Sequence, residues 1–372
     1  MVGLVTDKKQ RILEQYDDRK RAYQAFLCEI EHQVTSILQT SEVTYNAITS
    51  RLKTRESVAG KIDRKQDKYT ELSEITDIAG IRIITYYSAD VDRIADIIES
   101  EFAVDHENSI DKRESIEPDR FGYCSVHYVV GMNAERLALR ECRMYEGMKC
   151  EIQIRSVLQH AWAEIEHDIG YKSEIVIPKE MRRSFSRIAG LLEIADKEFN
   201  EIRENLILYK NEVQEKVENE NVFDQEIDAV WLSVLIEKNE DIKRLNMHIG
   251  ELTGETIEDV GNDDYYYRST LERLRWLGIK TVRQVFEMIS EHIETAMAIA
   301  TEKLKDYKGR KDPGTIRATV AFFYLSYALL LTNHNSEEDI YRYFVDTNIG
   351  EYGTQRDSAK EFRKIGKKLG II

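Results

Sequence analysis

The chain is 372 residues long, with 42% hydrophobic and 33% charged residues and a net charge of −15. That length allows two domains, each able to bury a core. The acidic balance speaks against a general nucleic-acid coat protein, without excluding a local basic groove.

No apolar run approaches the ~20 residues of a membrane helix, and the N-terminus lacks the apolar core of an export signal. A cytoplasmic protein is therefore expected, with neither membrane nor DNA as partner. Cys28, Cys124, Cys142 and Cys150 are scattered without a CxxC pair, which suits reduced thiols and no zinc ribbon.

Residues 7–50 read as helical, because Leu13, Tyr16, Ala22, Phe26, Ile30 and Val34 recur at near-helical spacing between charges. Arg19, Lys20 and Arg21 form a small basic cluster on it, most simply a solvated face. Residues 51–69 are densely cationic: Arg51, Lys53, Arg55, Lys61, Arg64 and Lys65 surround Ser57 and Gly60. Repeated cations with a hydroxyl and a glycine are the chemistry of a polyphosphate clamp.

A strand is expected from about Gly80, where Ile81, Ile83 and Thr85 alternate with Arg82, Ile84 and Tyr86. Asp77 stands at its mouth, placed to meet a metal ion, and the glycine lets a ligand approach the backbone. Residues 90–101 read as an amphipathic helix, 105–120 as a polar loop carrying Lys112 and Arg113, and Phe121–Val130 as a second strand. In Cys150–Arg155, Cys150, Ile152 and Ile154 face one way while Glu151, Gln153 and Arg155 face the other. The helix that follows sets His160, Glu164 and His167 on one side.

This order gives an α+β domain, a mixed sheet with helices packed on it. From about Pro178 the pattern turns helical. Met181 to about Glu218 is one heptad-like run, and 224–239, 240–253, 268–275, 280–304, 314–332, 336–346 and 355–368 are further helices. Short strands are conceivable only around Tyr265–Tyr267. The expected domains are 1–178, a connecting helix 179–223, and a mostly α-helical domain 224–372.

The chain has no P-loop, dinucleotide fingerprint, nucleophile elbow or kinase signature. What remains is Asp77, Glu151 and a clamp of Arg and Lys. Two carboxylates at strand ends among cations fit Mg²⁺-assisted phosphoryl-type transfer. His160, Glu164 and His167 also have a spacing open to a transition metal, but they lack the HExxH arrangement. A phosphate contact, or support of the strand face, suits His160 better.

Four ordered motifs carry a resemblance. They are Arg51-x-Lys53…Ser57…Lys61, Asp77-Ile-Ala-Gly-Ile-Arg82, Phe-Gly-Tyr123-x-Ser-x-His127, and Glu151-Ile-Gln-Ile-Arg155 running on to His167 and Tyr171-Lys172. Together, over about residues 5–210, they resemble the nucleotidyltransferase-like synthetase domain of the RelA/SpoT alarmone family. The resemblance implies transfer of the β,γ-diphosphate of ATP to a ribose 3′-hydroxyl, with AMP leaving and Mg²⁺ as cofactor.

By motif position, Asp77 and Glu151 would be catalytic and metal-binding, and Arg51, Lys53, Ser57, Lys61 and Arg82 would bind ATP. Tyr123, His127, Gln153, Arg155 and His160 would line the acceptor side. The stretch before residue 50 is too short for the hydrolase domain of the long bifunctional members.

Where small alarmone synthetases carry a basic residue after the tyrosine, this chain has Cys124. That variant is similar to the toxic branch of the family, which modifies the tRNA CCA end and stops translation. Arg19, Lys20, Arg21, Lys112 and Arg113 would then face tRNA. Length and a tyrosine-rich second half resemble the CapRel subgroup, fused toxin–antitoxin proteins released by a phage protein such as the capsid. Its Tyr-x-x-Tyr plug matches Tyr324 and Tyr327 here, in a very apolar helix, and Tyr265–Tyr267 is a rival. A (p)ppGpp synthetase acting on GDP or GTP, with a regulatory C-terminal half, is the alternative.

Overall fold

The computed structural model describes residues 2–41, 43–65, 68–111, 125–172, 179–219, 224–261, 264–307 and 314–372. Two compact units divide the chain between Glu204 and Asn205. The first contains α1 (Val2–Thr40), β1 (Ala47–Leu52), α2 (Arg55–Arg64), β2 (Ala79–Thr85), α3 (Ala89–Glu101), β3 (Ala103–Val104), β4 (Ile110–Asp111), β5 (Val126–Gly131), α4 (Ala134–Leu137), β6 (Cys150–Ser156), α5 (Val157–Lys172) and the first part of α6 (Lys179–Glu218). The expected class holds: a mixed sheet with flanking helices, followed by a mostly helical unit.

The sheet runs β1-β2-β6-β5-β3, with β4 also beside β5. Strands β2 and β6 are parallel neighbours at its centre, and the other pairs are antiparallel. Period-two alternation gives this sheet two unlike faces. Ile81, Ile83, Ile152, Ile154, Val126 and Val130 point to one side and join the core with α1 and α3. On α1, Ile12, Tyr16, Tyr23, Phe26, Ile30, Val34 and Leu38 recur at three, four or seven residues, the helical period, and each is almost fully buried.

The helix expected over 7–50 overran. Helix α1 ends at Thr40, and Ala47–Leu52 is an edge strand. Ile48 and Leu52 reach the core while Thr49 and Arg51 face the other way, and the apolar spacing that marked the helix, from Leu13 to Val34, does not extend into this strand. The cationic segment divides accordingly. Arg51 lies on β1, Lys53 just beyond it, and Ser57 and Lys61 on α2, which Thr54 caps by accepting from the Ser57 amide.

Strand β5 begins at Val126; the expectations for Lys112, Arg113 and Tyr123 fall outside the described residues. At the far end of the sheet Trp162 meets Phe185 edge-on at 5.3 Å. There too the Ser156 hydroxyl donates to Asp196 at 2.7 Å, and Arg203 pairs with buried Asp90 at 2.6 Å.

The second unit holds the end of α6, then α7 (Ala229–Lys238), α8 (Glu240–Thr253), β7 (Thr256–Glu258), α9 (Asp264–Trp276), α10 (Val282–Leu304), β8 (Thr315–Arg317), α11 (Val320–Asn333), α12 (Glu337–Asp346) and α13 (Gln355–Lys368). Its helices start where side chains cap them. Asp228, Asn239, Thr281 and Ser336 each accept from a backbone amide three residues on. Helix α8 stops at Gly254, whose φ of 70° suits glycine at a helix C-terminus.

The strands looked for at Tyr265–Tyr267 are helical, part of α9. The strands present, β7 and β8, pair in parallel over three residues each, too short to leave a periodic signal. Tyr324 and Tyr327 of α11 lie in the core of this unit. The Tyr327 ring is 1% exposed and sits 4.4 Å from both Phe323 and Phe362. In this packing neither ring is presented at the unit's surface, whereas Tyr265 is 63% exposed.

No helix among the described residues is long and apolar enough to cross a membrane. Cys28, Cys142 and Cys150 carry no disulfide.

Candidate active site

The sheet's second face carries the polar side chains. Register sets Arg51 beside Gly80 and Gly80 beside Glu151, with Thr49, Arg82 and Gln153 in the next row and His127 beyond Gln153. Gly80 has no side chain, so the middle of the first row is open. A cleft of about 210 Å³ forms there, lined by Thr49, Arg51, Lys53, Asp77, Gly80, Arg82, Glu151 and Gln153 among others.

Lys53 and Asp77 face each other because the strand ends are tied. The Lys53 amide donates to the Ile78 carbonyl at 2.8 Å, and the Tyr16 hydroxyl of α1 donates to the Lys53 carbonyl at 2.7 Å. Asp77 Oδ2 receives both Lys53 Nζ at 2.5 Å and Lys61 Nζ at 2.7 Å. Its other oxygen, Oδ1, is buried and accepts no hydrogen bond. Burial pulls the Lys53 ammonium below its usual pKa, and its bond to Asp77 opposes that shift.

On β6 the side chains two residues apart form a directed chain. Arg155 Nη2 donates to Gln153 Oε1 at 2.8 Å, and Gln153 Nε2 donates to Glu151 Oε2 at 2.8 Å. His127 Nδ1 reaches Glu151 Oε1 at 3.2 Å, and His127 Nε2 lies 2.7 Å from the Ser125 hydroxyl. An ionised Glu151 only accepts, so Nδ1 carries the proton and Nε2 accepts from Ser125. Burial acts to raise the Glu151 pKa, but the hydrogen bonds from His127 and Gln153 and nearby Lys61 prevail, leaving it at about 2.

Arg82 pairs with Glu164 of α5 at 3.0 Å, and His160 Nδ1 stands 3.9 Å from the same carboxylate. Burial, then Arg82, hold the His160 pKa below its usual value. Arg51, Lys53, Lys61, Arg82 and Arg155 therefore face Asp77, Glu151 and Glu164, an excess of positive charge suited to an anionic ligand.

The structure brings Asp77, Glu151, Arg51, Lys53, Lys61, Arg82, His127, Gln153 and Arg155 to one face or its rim. Ser57 is exposed on the first turn of α2, its hydroxyl 3.1 Å from Thr54 Oγ1. Arg19, Lys20 and Arg21 are exposed on α1, within a turn of Asp17, which pairs with Arg55 of α2 at 2.9 Å. Thr49 escaped the sequence reading because β1 was taken for helix. Glu164 was noticed only for its histidine neighbours. Its role beside Arg82 was hidden, since the partners lie 82 residues apart.

A resident metal has one fitting feature here, the bare Oδ1 of Asp77 in a cleft it shares with Glu151. Mg²⁺ asks for just one or two carboxylates when a substrate phosphate supplies the rest. The histidine-rich face of α5 does not fit. Among the described residues no three His, Cys, Asp or Glu side chains are grouped to hold a metal, so the transition-metal reading of His160, Glu164 and His167 fails. Glu164 is instead engaged by Arg82.

Comparison with known proteins places the sheet-bearing part of the chain in a family. The family model "Region found in RelA / SpoT proteins" matches residues 50–176. GTP pyrophosphokinase YjbM of Bacillus subtilis is 31% identical over 160 residues, covering 42% of this chain and 71% of that protein. GTP pyrophosphokinase YwaC of the same organism is 29% identical over 163 residues, covering 42% and 73%. Among solved structures, the small alarmone synthetases 1 and 2 of Bacillus subtilis align at 24% and 25% identity. They cover 52% and 51% of this chain and 98% of each relative, with TM-scores of 0.44 and 0.43. With the YjbM match spanning most of that relative and a cleft of phosphate-binding character beneath it, the chain belongs to the RelA/SpoT family and is a pyrophosphokinase that uses ATP.

Proposed function

We propose that the cleft transfers the β,γ-diphosphate of ATP to the 3′-hydroxyl of the terminal adenosine of tRNA. The single observation carrying the transfer is the pairing of Asp77, with its bare Oδ1, and Glu151 across the open slot of Gly80. Arg51, Lys53, Lys61 and Arg82 bind the triphosphate. Lys53 and Lys61 now share one Asp77 oxygen. An arriving polyphosphate offers both ammonium groups better partners and would release the Asp77 carboxylate from them.

Asp77 with Glu151 would hold Mg²⁺, which would supply charge neutralisation at the transferred phosphates. The acceptor 3′-oxygen attacks the β-phosphorus, and the bond from that phosphorus to the α–β bridging oxygen breaks, so AMP departs. The hydroxyl proton leaves on the side of Glu151, which His127 and Gln153 hold in place.

The tRNA reading is supported by Cys124 standing where a basic residue would meet the phosphates of a free guanine nucleotide. A second reading, guanosine nucleotide as acceptor, is favoured by the two relatives being GTP pyrophosphokinases. The two separate in one assay. With γ-labelled ATP, label should move to deacylated tRNA and not to GDP or GTP. Label on guanosine nucleotide alone would sink the tRNA reading and leave the transfer chemistry standing.

Resemblance to the fused toxin–antitoxin subgroup supports a second unit that restrains the first in the cytoplasm and yields to a phage protein such as a capsid subunit. Expression of 1–204 should then arrest growth, and the same fragment with Asp77→Asn should not. A harmless but catalytically active fragment would refute the restraint.

A further inference from the structure

Within the first unit, α6 meets the end of the sheet through polar side chains. Asp196, Asn200 and Arg203 stand at i, i+4 and i+7, on one helix face. Asp196 accepts from the Ser156 hydroxyl at 2.7 Å, and Asn200 Nδ2 donates to the Ser88 hydroxyl at 2.5 Å. Arg203 pairs with Asp90 at 2.6 Å, its guanidinium 4.6 Å from the Tyr87 ring. Ser156 and Asp90 are fully buried, and Asp196 is 4% exposed. Replacing both partners of such a contact by apolar groups of the same shape would be close to neutral for stability. What the buried carboxylate adds is direction.

Ser156 is where that direction acts. It is the last residue of β6, and α5 starts directly after it. Its amide donates to Gln159 Oε1 at 2.9 Å, and its hydroxyl oxygen accepts from the Gln159 amide at 3.1 Å, a reciprocal box at the helix start. The box alone leaves the hydroxyl proton free to turn. Asp196 takes that proton and fixes the Ser156 side chain.

We propose that Asp196 is a positioning residue for nucleotide binding. By pinning Ser156 it sets the angle at which α5 leaves β6, and so holds Glu164 against Arg82. Glu164 lies two turns into α5, 3.0 Å from Arg82 Nη1, and Arg82 lines the cleft. A guanidinium has five donors in a planar fork, so one edge stays on Glu164 while another takes a phosphate. An arginine already held loses less rotamer freedom when the nucleotide binds.

The carboxylates of the cleft are placed independently of this joint. Glu151 lies five residues back along β6, ~16 Å away, and Asp77 is set by the tie between the Lys53 amide and the Ile78 carbonyl. Loss of the joint therefore falls on KM for ATP and spares kcat.

The inference rests on the reading of Arg82 as a nucleotide ligand, whichever acceptor is used. In the full chain, Asp196→Ala should raise KM for ATP about five-fold, with kcat within about two-fold of the parent. Asp196→Asn, whose amide oxygen still accepts from Ser156, should keep the parent KM. Glu164→Ala should match Asp196→Ala, and the double variant should be no worse than either, because both act through Arg82. Independent effects would multiply to about 25-fold and overturn the proposal. Equal harm from Asp196→Asn and Asp196→Ala would overturn it too. Glu164 is exposed, so its variant folds even where Asp196→Ala does not. An unchanged or lower KM in Glu164→Ala overturns the proposal by itself, since Glu164 would then be idle or compete for Arg82. An Arg82→Ala variant with the parent KM overturns the inference together with the reading of Arg82. An impaired Arg82→Ala beside a normal Asp196→Ala overturns the joint alone.

Discussion

Glu151→Gln should lower kcat for pyrophosphoryl transfer about 10³-fold, some 4 kcal/mol of barrier, while KM for ATP stays level or falls. The amide is isosteric and still accepts from His127 Nδ1 through its oxygen, but its NH2 group meets the Gln153 Nε2 donor and the stabilising charge is gone, so the melting temperature at neutral pH should fall by a few degrees. What disappears is a negative charge among Arg51, Lys53, Lys61 and Arg82, so the nucleotide meets a more positive cleft. A rise in KM without loss of kcat would mean that Glu151 merely shapes the binding site.

The pH dependence follows in sign. The folded-state pKa of Glu151 is depressed from 4.5 to about 2. Its contribution to stability is complete above the unfolded value and is lost as pH falls through the folded one. The parent chain should therefore lose more melting temperature between about pH 5 and 2 than Glu151→Gln does. Activity above pH ~5 should show no acid limb from this group. A variant that tracks the parent through the acid range would show that Glu151 is not held ionised by its neighbours.

The polar face of β6 was legible because a strand's period is two. Cys150, Ile152 and Ile154 alternate with Glu151, Gln153 and Arg155, and the structure places each on its expected side. Arg82 and Gly80 were legible for the same reason. The strand β1 was not. The helical spacing that runs from Leu13 to Val34 was carried on to residue 50, across the start of β1, and hid Thr49 on the same face as Arg51. Pairings such as Lys53 with Asp77, 24 residues apart, or Arg82 with Glu164, depend on how the strand ends and α5 are brought together. No local pattern encodes that.

In the second unit the helices were readable from their sequence pattern, but their packing was not. Tyr324-Leu-Ser-Tyr327 shows the limit. A motif of two tyrosines has the same letters whether it plugs a site or fills a core. Its neighbours Phe322, Phe323, Leu329 and Leu330 pointed to the core, and both rings lie there. Tyr265–Tyr267, rich in β-formers, went helical because α9 buries Tyr267 and Leu274 along one side. Tertiary burial overrides strand propensity in such a case.

Gly80→Val should cut kcat/KM for ATP about 10²-fold, mostly through KM, while the protein melts at the same temperature or a few degrees higher. Gly80 is the bare position between Arg51 and Glu151 in the central strands. A Cβ there would meet only the Arg51 carbonyl at 3.8 Å and the Glu151 carbonyl at 3.9 Å, ordinary contacts that the fold accepts. The backbone does not require glycine either, since Gly80 is not among the residues with positive φ.

Valine suits a strand better than glycine, a gain of up to ~1 kcal/mol. The added methyls have one direction to go, into the cleft, where they would occupy the space between the Asp77 and Glu151 sides. Gly80→Ala adds a single carbon and should cost only a few-fold. This graded loss at constant stability separates a glycine kept for room from one kept for conformation, because a conformational need would make alanine as harmful as valine. Equal damage from both variants, or full activity in the valine variant, would show that the nucleotide does not bind over Gly80.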